Sequence, residues 1–153
     1  MPTLFTIGYE GAALRDVVAA LRAAGVAELI DVRAVAASRR VGFAKSALRA
    51  GVESAGIAYR HLRDLGTPAE GRAAARAGRS DQMRRIFCAH LATAEAETAL
   101  AGLAARIADG PPVCLLCLER DHRQCHRAIL AERLSERVAG LEMRHLVPAR
   151  AVA

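Results

Sequence analysis

Between Cys117 and Arg127 the chain reads CLERDHRQCHR. Thiols, imidazoles and carboxylates are the groups that serve as nucleophiles, acid–base catalysts and metal ligands. Arginine, also abundant here, grips phosphate or carboxylate with a two-point fork. Polar groups of the same kinds recur wherever another apolar run stops. GYEG occupies Gly8–Gly11, and DVR occupies Asp31–Arg33, followed by Ser38, Arg39, Arg40 and Phe43. Tyr59 and His61 precede the Leu65-Gly66 pair.

Within the first segment, Asp121 is placed to cap a helix, and Gln124 three residues later completes a box-like arrangement. That puts Cys125 and His126 in the first helical turn. A thiol there is favoured as thiolate by the helix dipole, and Arg123 and Arg127 add positive charge. Cys125 is therefore a candidate nucleophile, with Cys117 as its resolving partner or as a second ligand.

Three chemical readings follow. A metal site would use Cys117, Cys125 and His126 with Glu119 or His61, ligand types that zinc accepts. The spacing is not that of a zinc finger, and adjacent helical side chains diverge by about 100°, so no metal ligand is assigned. A phosphatase-like loop would run from Cys117 to Arg123, but Glu119, Arg120, Asp121 and His122 are poor material for amides converging on one anion. The third reading is a polar cleft: Glu119 as acid or base, arginines on an anion, and Cys125 or His126 catalytic or orienting. The plain alternative is packing, with His126 capping, Glu119 paired to an arginine and the cysteines filling space.

The other strand ends are weaker signals. GYEG could let backbone amides approach a phosphate, or be a tight turn bounded by glycines. Asp31 and Arg33 share one face of a strand and can pair with each other or meet a ligand. His61 gains weight only from lying on the same edge. His90 and His145 read as structural, and Cys88 and Cys114 as small core residues.

The elements that must carry these groups alternate along the chain. Strands are expected over Leu4–Gly8, Ala27–Arg33, Ile57–Leu62, Val113–Glu119 and Met143–Val147. Helices are expected over Leu14–Ala24, Ala44–Ala55, Ser80–Ile107 with a break near Thr93, and Cys125–Val138. Leu65–Arg79 reads as a loop with a short helix. VCLLCLE is apolar almost throughout, as a central strand buried on both faces should be. The pattern predicts one three-layer α/β domain over residues 1–153, with a mostly parallel sheet of about five strands, Rossmann-like or flavodoxin-like. In such sheets ligands sit at the carboxyl ends of the strands.

Composition limits the partners. The chain has 153 residues, 53% hydrophobic, with a net charge of +6. Nearly all the positive charge is arginine, since Lys45 is the only lysine. Basicity invites an anionic partner, but aromatics are 3% with no tryptophan, leaving little to stack on single-stranded bases. No signal peptide or membrane span is expected. A cytoplasmic, reducing location follows, with free thiols or metal ligands favoured over disulfides.

In order and spacing, TIGYEG, DVR followed by SR and Phe43, GIAYRHL with Leu65-Gly66, and LLCLE…CHR resemble the family called domain of unknown function 488. The resemblance runs from Thr6 to about His145. It implies a compact α/β domain of bacteria and archaea. It also implies that Gly8, Tyr9, Asp31, Arg33, Ser38, Arg39, Tyr59, His61, Cys117, Glu119, Cys125, His126 and Arg127 are the motif positions. It supplies no activity. The family usually has a proline between DVR and SR, and this chain has Ala36 there, which bears on the rigidity of the arginine loop.

The expectation from these readings is a small enzyme acting on an anionic, phosphate-bearing substrate, a nucleotide or nucleic acid. Arg33, Arg39 and Arg127 would hold the anion. Glu119 and His61 would be acid–base groups and Cys125 the nucleophile. A non-catalytic module that binds nucleic acid or protein through a basic surface is the alternative, as is a metal-binding or redox-sensing protein using Cys117 and Cys125. The sequence names no cofactor and sets no oligomeric state.

Overall fold

The computed structural model describes residues 1–152. Its strands are β1 (Thr3–Gly8), β2 (Glu28–Asp31), β3 (Ala58–His61), β4 (Val113–Cys117) and β5 (Glu142–Leu146). All pair in parallel within one sheet of order β3-β2-β4-β1-β5. The covering helices are α1 (Leu14–Ala23), α2 (Lys45–Ser54), α3 (Ala69–Arg76), α4 (Ser80–Leu91), α5 (Ala94–Asp109) and α6 (His126–Arg137). The layering is that of a Rossmann-like or flavodoxin-like domain, as expected. Relative to the Rossmann order, β4 is inserted between β1 and β2.

Strand alternation divides the core in two. Phe5, Ile7, Leu29, Cys114 and Leu116 face one way and pack with Val17 and Leu21 of α1 and Leu48 and Val52 of α2. Leu4, Ile30, Val113, Leu115 and Cys117 face the other way, against Met83 and Phe87 of α4, Leu100 of α5 and Ile129 of α6. α1 and α2 lie on the face crossed as the chain moves toward β3. α3 to α6 lie on the face crossed as it returns toward β5, as right-handed crossovers require. The same parity places Cys117 on the α6 side.

β2, β3 and β4 are shorter than expected, while β1 and β5 are not. β2 stops at Asp31 and β4 at Cys117 rather than at Arg33 and Glu119, although Val32 N still donates to Leu116 O. The segment after β3 holds a 3-10 turn, Arg63–Leu65, and the helix α3. The expected break at Thr93 is present: Thr93 Oγ1 caps α5 by accepting from Ala96 N, which divides the long helical stretch into α4 and α5. Among the described residues no helix is long and apolar enough to cross a membrane.

Candidate functional site

The loops after β1 and β4 leave toward opposite faces, and a cleft of about 270 Å³ opens at the carboxyl ends of these strands. Its floor includes Tyr9, Arg33, Cys117, Glu119 and His126. Ala34, Val35 and Met83 make its walls apolar, and Arg72 and Arg76 of α3 stand on its rim. Of the residues singled out from the sequence, those five line the cleft. Gly8, Asp31, Tyr59, His61, Cys125 and Arg127 support it, and Ser38 and Arg39 do not line it. Ser38 instead accepts a bond from Arg40 N at 3.1 Å, and Arg39 is exposed.

Arg33 is committed inside the protein. Its Nε and Nη2 donate to the two oxygens of Asp31 at 2.8 and 2.7 Å, and its Nη1 donates to Phe43 O at 2.7 Å and Tyr9 Oη at 3.3 Å. Tyr9 stacks on Phe43 with centroids 4.4 Å apart, and the guanidinium lies over the Tyr9 ring. Tyr59 donates its hydroxyl to Asp31 at 2.5 Å. Burial works against the Arg33 charge, but Asp31 outweighs it and holds the guanidinium above its ordinary pKa. Burial, reinforced by Asp31, also pushes the Tyr59 hydroxyl up. The expectation that Arg33 grips an external anion is therefore corrected: four of its five N–H donors are already used.

The loop after β2 is pinned by two histidines. His126 Nε2 donates to Val32 O and His61 Nε2 to Arg33 O, each at 2.7 Å. A carbonyl only accepts, so both rings carry the proton on Nε2. His61 is thus a support of this loop, outside the cleft. Its neighbour Gly66 packs so tightly on Ala34 that a side chain there would collide with the backbone.

Gly8 has a comparable role. A Cβ at this position would run into the carbonyl of Glu119. The following amides are not free to cradle a phosphate, because Tyr9 N donates to Cys117 O and Glu10 N to Leu118 O. GYEG and CLE are two ends of one junction, in which the missing side chain of Gly8 lets the Glu119 backbone cross β1.

The segment from Cys117 to Arg127 departs most from expectation. Asp121 caps a 3-10 turn, His122–Gln124, not the helix. The N-cap of α6 is Cys125, in extended backbone (φ −127°, ψ 148°), with its sulfur accepting from Arg127 N. Because Cys125 is not helical, the 100° divergence from His126 does not apply, and its Sγ lies 3.6 Å from His126 Nδ1. Cys117 and Cys125 are joined by a disulfide, against the expectation of free thiols. The 3-10 turn folds the chain back so that residues eight apart meet. Cys114 is a free buried thiol pushed up by burial, and Cys88 is free and half-buried. Arg123, the distal partner in the phosphatase-like reading, forms a two-point pair with Asp121 on the exposed side.

Arg127, 1% exposed, is also internal rather than a hand for substrate. It donates to Thr6 Oγ1 at 3.2 Å, Cys117 Sγ at 3.0 Å, Glu119 O at 2.6 Å and Arg120 O at 3.3 Å. Among the described residues no carboxylate forms a salt bridge with it, and burial lowers its pKa to about 10. Burial raises the Glu119 carboxyl, whose Oε2 lies 3.5 Å from Cys117 Sγ. Burial lowers His126 to about 4. On the far side, Thr6 Oγ1 accepts from Arg127 Nε and shares a 2.6 Å hydrogen bond with His145 Nδ1, and the His145 ring stacks on His122.

The sequence pattern of the family described as Domain of unknown function DUF488 matches residues 13–134. The chain belongs to that family. The matched span holds DVR, the Tyr59–His61 strand and the whole Cys117–Arg127 segment. TIGYEG precedes it and joins it through the Gly8–Glu119 crossing. No curated protein and no solved structure matches the chain.

Arg72, Arg76, Thr67 and Gln124 also line the cleft, and sequence reasoning missed all four. With 22 basic side chains in the chain, no local signal separates the α3 pair from the rest. Only the register of α3 over the strand ends does so.

Proposed function

We propose that this protein is an enzyme whose cleft takes a small anionic, phosphate-bearing molecule of about nucleotide size, with Arg72 and Arg76 on the phosphate and Glu119 as acid–base group. The observation that carries this reading is that two rim arginines stand across one cleft from a floor carboxylate that forms no salt bridge among the described residues. Arg72 donates only to Thr67 O, at 2.9 Å, and neither Arg72 nor Arg76 forms a salt bridge among the described residues. Glu119 faces the same space beside Cys117. The apolar walls suit a base or other flat apolar part, the usual composition of small-molecule sites. A cleft of about 270 Å³ suits a mononucleotide-sized ligand better than a strand of nucleic acid.

The test is calorimetric titration with inorganic phosphate and a panel of nucleoside monophosphates. The double variant Arg72→Ala/Arg76→Ala should lose about 10- to 100-fold in affinity, the worth of one or two charge-assisted hydrogen bonds, with its urea midpoint unchanged. Glu119→Gln should still bind but not turn over. If none of these ligands binds, or if the double variant binds them unchanged, the reading fails. Binding of nucleic acid alone, without turnover and falling steeply with salt, would favour a basic binding module.

A further inference from the structure

We propose that Cys117, Cys125 and His126 form a site for a thiophilic divalent cation of the zinc type, open to the cleft at its fourth position. The site rests on ligand geometry and stands whether or not the cleft takes a phosphate. The two sulfurs and the imidazole nitrogen lie within 4.8 Å of one another, and all three residues are buried. The separation of Cys125 Sγ from His126 Nδ1 is 3.6 Å. A tetrahedral ion with bonds of about 2.3 Å to sulfur and about 2.0 Å to nitrogen needs an edge of roughly 3.5 Å between them.

The surroundings are those that a metal's ligands require. His126 Nε2 donates to Val32 O, so the lone pair is on Nδ1, the atom beside the Cys125 sulfur. Fixing the outer nitrogen on a carbonyl is how proteins hold a metal-binding histidine in one tautomer. Each sulfur also receives an N–H: Cys125 from Arg127 N at 3.5 Å, and Cys117 from Arg127 Nη1 at 3.0 Å. Such bonds stabilise thiolates.

The charges around the site also balance. Arg127 is a buried cation that forms no salt bridge with a carboxylate among the described residues, and buried charge is costly unless compensated. Two thiolates cancel a divalent ion, and the Glu119 carboxylate beside Cys117 then balances Arg127. Cys117 and His126 line the cleft while Cys125 does not, so the exchangeable position faces outward. Three protein ligands with one open position is the pattern of a catalytic rather than a structural zinc.

The disulfide and the metal are alternative states of the same sulfurs. A dithiol reductant delivers two electrons and two protons to the S–S bond, yields two thiols, and is itself oxidised to a disulfide. The cation then displaces two thiol protons and takes the Nδ1 lone pair. The sulfurs move apart to roughly 3.8 Å, the edge between two thiolates on one tetrahedral ion.

The experiment is a titration of the whole protein, reduced with a phosphine and kept free of oxygen, with cobalt(II). The expected result is one equivalent bound, with thiolate-to-cobalt charge transfer in the near ultraviolet and the intense visible bands of a tetrahedral ion. Zinc should displace it, and two protons should be released per ion. Cys125→Ser should weaken cobalt binding by about 100-fold or more and remove part of the charge-transfer intensity. Serine is itself a good N-cap, so this variant keeps α6. Cys88→Ser should change nothing. A reduced protein that takes up no cobalt, a spectrum without thiolate bands, or bands that survive Cys125→Ser unchanged would each overturn the site.

Discussion

Arg127 and Cys117 meet inside the protein: Arg127 Nη1 lies 3.0 Å from the Cys117 sulfur, and neither residue is more than 2% exposed. The contact joins α6 to the end of β4 and sets a sulfur against a guanidinium that has no carboxylate partner among the described residues. The same side chain ties β1 through Thr6 and supports the carbonyls of Glu119 and Arg120.

Arg127→Met keeps an unbranched apolar stem but is shorter and removes every donor. It should lower stability by about 2–4 kcal/mol, because buried acceptors are left without partners. Arg127→Lys should recover little of this, since one ammonium cannot reach acceptors arranged around a planar fork. Urea unfolding of the three proteins checks both statements.

Asp31 anchors the other buried network. Asp31→Asn removes one member of a buried ion pair and leaves Arg33 uncompensated, at a cost of about 3–5 kcal/mol. Tyr59→Phe removes one hydrogen bond to the same carboxylate and should cost about 1 kcal/mol. Because a small domain has roughly 5–15 kcal/mol in total, the first variant should show a much earlier denaturant midpoint and the second a small shift.

Gly8→Ala should be among the most damaging single-methyl additions in this chain. The new Cβ meets the Glu119 carbonyl, a backbone group held in place by Arg127 Nη1. The expected cost is about 2–4 kcal/mol, at the upper end for overpacking. Gly25→Ala is a useful comparison: its surroundings are open but its φ is +76°, so it should lose only the smaller cost of a strained backbone. Thermal unfolding of the two variants should separate them clearly.

Acid sensitivity follows from His145. Burial, with the nearby His122 and Arg127 charges, lowers its pKa to about 4 in the folded protein, against about 6.5 unfolded. Between these values the unfolded chain binds a proton that the native state does not, so stability falls as pH drops from 6.5 to 4. Above 6.5 this residue contributes no slope. His145→Asn should make that part of the curve shallower, leaving the slope that the buried His126 contributes. Urea midpoints at pH 7.5, 5.5 and 4.5 for both proteins measure it, and parallel curves would refute the assignment.

How far the sequence reaches depends on the scale of the interaction. The central position of β4 is legible because Val113–Cys117 is apolar on both faces, and a strand can be so only when covered twice. The break at Thr93 is legible because a threonine before a helical period is a cap. The conformation of Cys125 is not, because Asp121 and Gln124 offer a better-known cap nearby and sulfur is a weak acceptor. Nor does spacing reveal that Arg33 and Arg127 are consumed internally, since that depends on carbonyls of Phe43, Glu119 and Arg120 brought there by the fold. Arg72 and Arg76 reach the cleft only through the packing of α3, which no local pattern encodes.

The strand order has a consequence for how the chain comes into being. During synthesis β1, β2 and β3 emerge first, yet β1 and β2 touch only through β4, which follows about fifty residues after β3. Until Val113–Cys117 leaves the ribosome, the early strands have a slot between them, with apolar faces and unpaired amides on both sides. The first half is therefore a poor candidate for an autonomous folding unit and a natural client for nascent-chain chaperones. The final insertion is a non-local step of the kind that slows folding. It also brings Cys117, Glu119 and His126 to the cleft only after the first three strands have been made.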